Sequence, residues 1–115
     1  MAGTLTSATR NKLLDSVGFK TIKLHSQDPT EAGTAGVIAG AQKDFTVGAS
    51  ANGVISSTAP VEIDVTVSGS PVTVSHYSLW NANGDCVATG ALSASQSYTA
   101  SGKYIVNTLT VDLNK

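Results

Sequence analysis

The chain has 115 residues, a mass of 11.6 kDa and a net charge of −1, with 41% apolar and only 13% charged residues. That length predicts one domain over residues 1–115, with enough apolar material to bury a core without a metal or disulfide staple. Seven basic residues, scattered along the chain, argue against nucleic acid or an anionic membrane as a partner, because neutralising phosphates requires clustered Lys and Arg.

The first predicted element is a short helix at about residues 7–17. It has a hydroxyl residue to cap its start, Gly18 to end it, and an apolar stripe of Leu13, Leu14 and Val17. From Phe19 the period shortens to 2, with Ile22 and Leu24 apolar between Thr21, Lys23 and His25, which predicts a strand with one buried face. Residues Ser26 to Gly36 carry Gln, Asp-Pro, Thr, Glu and two Gly, the composition of a surface loop. Phe45 and Val47 alternate with Asp44 and Thr46, Asn52-Gly53 marks a turn, and Val54-Ile55 resumes the pattern, so strand, turn and strand are expected here.

The clearest alternation follows, with Val61, Ile63, Val65 and Val67 on one side and Glu62, Asp64, Thr66 and Ser68 on the other. Val72 to Trp80 is apolar on both faces, as in a central strand or one crossing a bulge. It runs to the turn Asn81-Ala82-Asn83-Gly84, after which Cys86 to Leu92 should return as a hairpin partner. From Lys103 one long closing strand is expected, with Ile105, Leu109, Val111 and Leu113 on one face. Seven or eight short strands behind one N-terminal helix describe an all-β fold, an antiparallel β-sandwich or jelly-roll-like domain over about residues 19–113.

The surface is largely uncharged, with 14 Ser, 14 Thr, 14 Ala and 11 Gly, and a low net charge leaves little repulsion between copies. A single Cys86 rules out an intrachain disulfide. Residues 1–18 lack a basic start followed by an apolar run, and no window approaches the roughly 18 apolar residues of a membrane span. Synthesis in a cytoplasm with no membrane partner is therefore the expectation.

Motifs for catalysis are missing: Gly48-Ala49-Ser50-Ala51-Asn52 breaks the GxSxG pattern, and no phosphate-binding glycine loop occurs. His25, His76 and Cys86 lack zinc-ligand spacing, and Cys86 reads as a small packing residue. Glu62 and Asp64 share a strand face at a separation that could suit a glycosidase, but charges interleaved with Val and Ile are the ordinary solvent face of a strand. No enzyme activity, catalytic residue, metal or cofactor is expected. Asp28 and Glu31 beside His25 lack calcium-loop spacing and read as turn chemistry, and Trp80 reads as core more readily than as a ligand platform.

The order Asn11-Lys12-Leu13-Leu14-Asp15, Leu24-His25-Ser26-Gln27-Asp28-Pro29, Gly33 and Gly36, Asn52-Gly53, and Val74-Ser75-His76-Tyr77-Ser78-Leu79-Trp80 is similar to small virion proteins of tailed bacteriophages, notably those of actinobacterial hosts. That family has a short LLD helix, an LHTxDPG strand and loop, and a later strand ending in LW; the resemblance spans about residues 10–92. Gln42-Lys43-Asp44-Phe45 replaces an aromatic-Arg pair, and the segment after Leu92 matches poorly.

The resemblance implies an all-β structural protein of the virion, foremost a capsid decoration protein on the shell that bridges major capsid subunits and associates with copies of itself as a homotrimer. The polar loop residues Gln27, Asp28 and Glu31 are the expected contacts, since loops at one end of a sandwich are natural docking points. The alternative is a minor tail or fibre-associated protein touching tail proteins or a host-surface glycan through Tyr77, Trp80, Tyr98 and Tyr104. A remote third reading is a small glycan-active enzyme built on Glu62 and Asp64.

Overall fold

In the computed structural model, residues 3–113 are described, and they form one helix and eight strands. Helix α1 covers Ser7–Val17, with Thr6 Oγ1 accepting from the Thr9 amide and Gly18 closing the helix in the left-handed region at φ 73°. Its docking differs from the predicted stripe. Leu14 is buried, but Leu13 is 46% exposed. The helix is instead held by polar groups one turn apart: Asn11 Oδ1 accepts from the Gly53 amide at 2.9 Å, and Asp15 Oδ1 from the Ser50 amide at 3.1 Å. Asn11, Leu14 and Asp15, at i, i+3 and i+4, form the inward face.

The strands are β1 Phe19–His25, β2 Val37–Asp44, β3 Val54–Ser56, β4 Val61–Val65, β5 Val72–Asn81, β6 Cys86–Tyr98, β7 Gly102–Val106 and β8 Thr110–Asp112. They build an antiparallel four-stranded sheet in the order β2-β1-β5-β6 and two antiparallel pairs, β3-β8 and β4-β7. The sheets pack as an all-β sandwich. Its contiguous core takes Ile22 and Leu24 from β1, Ala41 from β2, Val61, Ile63 and Val65 from β4, Val74 and Leu79 from β5, and Tyr98 from β6, with Phe45 and Leu109 from connecting segments. Among the described residues no helix is long and apolar enough to cross a membrane.

The first strand, the alternation over Val61–Val65 and the Asn52-Gly53 turn stand where the sequence puts them, the turn closing with reciprocal Ala51 and Val54 amide bonds of 2.9 Å. Three elements differ. The strand expected around Phe45–Val47 lies upstream at Val37–Asp44, an edge strand whose residues are mostly exposed and which bulges near Gly40 (φ 76°). An edge strand with little buried area carries no apolar alternation to read. The hairpin partner β6 continues past Leu92 to Tyr98, because the register slips between Val74↔Gln96 and His76↔Ala91 and interrupts the alternation.

The single closing strand is two strands in different sheets. Ile105, placed inward by the sequence pattern, is 53% exposed, and Tyr104 and Val106 pack on the core in its place. The break at Asn107-Thr108-Leu109 shifts the phase, so Leu109 is buried while Leu113 is 37% exposed.

Candidate functional site

Alternation puts Ile22 and Leu24 on the core side of β1, and hence Thr21, Lys23 and His25 on the sheet's outer side. Their cross-strand partners are Trp80, Ser78 and His76 on β5. This outer face is covered in part by the Ser26–Gly36 loop, which folds back over it. Ser26 N donates to Gly36 O at 2.9 Å, Ala35 N to Pro29 O at 3.2 Å and Gly33 N to Thr30 O at 3.1 Å, while Asp28 Oδ1 accepts from the Thr30 amide at 2.9 Å. Pro29 is fully buried beneath the loop. Gly33, at φ 71°, packs so close to Cys86 and Trp80 that a Cβ would collide with Cys86 Sγ.

Under the loop lies a polar chain that sequence reasoning missed. His25 Nδ1 is 2.9 Å from Ala35 O and its Nε2 is 2.7 Å from Ser78 Oγ, while Trp80 Nε1 donates to the same Ser78 Oγ at 2.8 Å. One assignment satisfies every group: the neutral imidazole donates from Nδ1 to the carbonyl, and Ser78 donates its hydroxyl proton to Nε2 while accepting from the indole. The pair looks like a serine nucleophile with its base. Both residues are 0% exposed, however, and the third partner is a backbone carbonyl, so the arrangement clamps the loop to the sheet. The sequence signal was present, because His25 and Ser78-Leu79-Trp80 belong to the two segments that carry the virion-protein resemblance. His25 and His76 also sit opposite one another in register, but both ring nitrogens of His25 are committed. Among the described residues no three His, Cys, Asp or Glu side chains cluster as metal ligands.

Gln27, Asp28 and Glu31 lie exposed on the loop. Gln27 packs its stem over Gly36, one Asp28 oxygen is spent on the loop's own turn, and Glu31 overhangs a shallow depression beside Cys86–Thr89. Of the aromatics, Tyr98 is 8% exposed, and Tyr77, Trp80 and Tyr104 are half-buried. The Tyr98 hydroxyl donates to Lys103 O at 3.1 Å. Burial pushes its phenol above the ordinary value near 10, and the neighbouring Tyr104 adds to this. Glu62 and Asp64 project from β4 to solvent, where Lys103 Nζ approaches them at 3.4 and 4.0 Å. A groove lined by Phe45, Pro60 and Val61 reaches Glu62 and not Asp64. Both carboxylates are instead solvent-exposed, with side chains 55% and 78% accessible, which is not the concave pocket that a glycosidase reading requires.

Beside the loop, the same outer face holds a polar recess of about 240 Å³ lined by Lys20, Thr21, Lys23, Gln42, Trp80 and Asn81. Lys23 Nζ stands 4.3 Å from the centroid of the Trp80 ring. One indole face thus carries an ammonium, and the ring's Cζ2 lies against Gly33 of the loop, so Trp80 is only partly open for stacking.

Compared with known families, residues 4–114 match the Gp80 model, described as Podophage GP4 fiber I protein gp80. No curated protein and no solved structure matches the chain.

Proposed function

We propose that this chain, which belongs to the Gp80 family of podophage GP4 fiber I proteins, is a fibre-associated structural component of the virion that works by contact. The observation that carries the reading is the family match across residues 4–114, to a family of structural fibre proteins and not of enzymes. It favours the fibre-associated reading over shell decoration. The family description names no host, so the actinobacterial expectation rests on the resemblance alone. The geometry supports contact over chemistry, since the His25–Ser78 pair is fully buried and serves the loop, and the second such pair, part-buried Ser75 Oγ 2.8 Å from His76 Nδ1, joins adjacent residues of β5.

Two surfaces suit contact. The Ser26–Gly36 loop is held rigid from beneath by His25 and presents Gln27, Asp28 and Glu31 to a neighbouring virion protein at little cost in ordering. Strand β6 is the outer strand of its sheet, and no charged residue occurs from Cys86 to Gly102. Edges of this kind lack the Lys and Glu that normally discourage strand pairing, which suits association with copies of itself. Particles assembled without this protein test the reading: we expect intact, DNA-filled heads with absent or incomplete fibres and reduced adsorption. Normal fibres on heads that burst more readily on heating would instead assign it to the shell.

A further inference from the structure

The recess on the outer sheet face joins fixed positive charge to neutral hydrogen-bonding groups. Among the described residues neither Lys20 nor Lys23 has a carboxylate partner within 4.0 Å, so neither is neutralised by direct ion pairing. Lys23 is nevertheless positioned, because the Trp80 ring holds its ammonium at 4.3 Å. The quadrupole of an indole attracts a cation without cancelling its charge. A cation fixed in this way loses less side-chain freedom when an anion arrives than a free surface lysine would.

Polar groups surround it. Asn81 Oδ1 is consumed by the Asn83 and Asp85 amides of its own turn at 3.0 and 2.9 Å, which leaves its amino group as a donor. Gln42, register partner of Lys23, brings a carboxamide from the edge strand. Thr21 donates its hydroxyl to Asp44 Oδ1 at 2.7 Å and keeps its own oxygen as an acceptor. Asp44 thereby flanks the recess, and Asp85 lies beyond the turn; against these, Lys20 and Lys23 line the recess itself.

We propose that this recess binds a sugar ring carrying one anionic group, the anion meeting Lys23 and Lys20 and the ring hydroxyls meeting Gln42, Asn81 and Thr21. A bare inorganic anion would leave the acceptors on Gln42 and Thr21 without a donor, and a neutral sugar would leave the ammoniums unpaired, so the combination selects the charged saccharide. As a contact with a host envelope the site rests on the fibre reading, but its binding is a property of the purified chain. A failure to bind leaves the fibre assignment standing, and a position elsewhere in the particle leaves the binding standing.

The test is titration of the full ¹⁵N-labelled chain with galacturonate and its short oligomers as carboxylated sugars and glucose 6-phosphate as a phosphorylated one. Galactose, acetate and inorganic phosphate serve as controls. We expect saturable shifts of the amides of Lys20–Lys23, Gln42 and Trp80–Gly84 with at least one anionic sugar, and binding about tenfold or more weaker, equivalent to about 1.4 kcal/mol, for every control. Which sugar binds distinguishes carboxylate from phosphate as the anion. Lys23→Met keeps an apolar stem over the indole; it should leave the thermal midpoint in place and lower affinity about tenfold. No saturation at these residues with either anionic sugar, equal binding of acetate or phosphate, or full affinity in Lys23→Met would each overturn the proposal.

Discussion

His25 shows how a side chain's position and its burial come from different parts of the sequence. Alternation along β1 places it on the outer side, where a histidine beside a polar loop reads as solvent-facing. The structure agrees about the side and differs about the water, because the Ser26–Gly36 loop returns over the strand and leaves His25 0% exposed. No periodicity records such a return, since it depends on Gly33 and Gly36 adopting positive φ and on a carbonyl ten residues away. Replacing His25 with Ala strands the Ala35 carbonyl and removes the acceptor for the Ser78 hydroxyl. Each buried group left unpaired costs about 1–3 kcal/mol. We expect His25→Ala to lose about 2–4 kcal/mol in urea unfolding and to red-shift Trp80 fluorescence as the loop lifts, with Ser78→Ala showing a smaller loss of the same kind. An unchanged midpoint and emission maximum would show that the loop is held by something other than this chain of hydrogen bonds.

At the scale of elements, legibility followed burial. Strands that bury one face cleanly, β1 and β4, announced themselves by alternation. Those that bury little, such as β2, or that carry bulges, such as β6, did not. The closing segment misled because four apolar residues shared a parity across a break, and Asn107 already marked the point where the phase resets. In the helix, apolar residues drew attention to Leu13, while the groups that dock it are Asn11 and Asp15 on the turn around Gly53. The consequence is an inverted mutational pattern. Asn11→Ala should cost about 1–2 kcal/mol by unpairing the buried Gly53 amide, whereas Leu13→Ser, at a position 46% exposed, should stay within about 0.5 kcal/mol in chemical denaturation. A larger loss from Leu13 than from Asn11 would restore the apolar stripe as the docking surface.

At the scale of the molecule, residues 3–113 form an elongated body of 52 × 31 × 27 Å with a loop clamped over one face, a charge-free outer strand and a basic recess. The all-β class and the virion setting could be read from the sequence, through alternation and through the two segments that carry the resemblance. Those segments prove to be neighbours in space, joined through His25, Ser78 and Trp80. The recess was less legible, because Lys23 and Trp80 lie far apart in the chain and only the pairing of β1 with β5 brings them together. We propose that this protein serves the particle at its fibres. Imaging intact virions that carry an epitope-tagged copy, with averaging at the tail vertex and over the shell, tests it most directly. Tag density is expected at the fibres alone, in a small, fixed copy number; density repeated across the icosahedral shell would overturn this assignment.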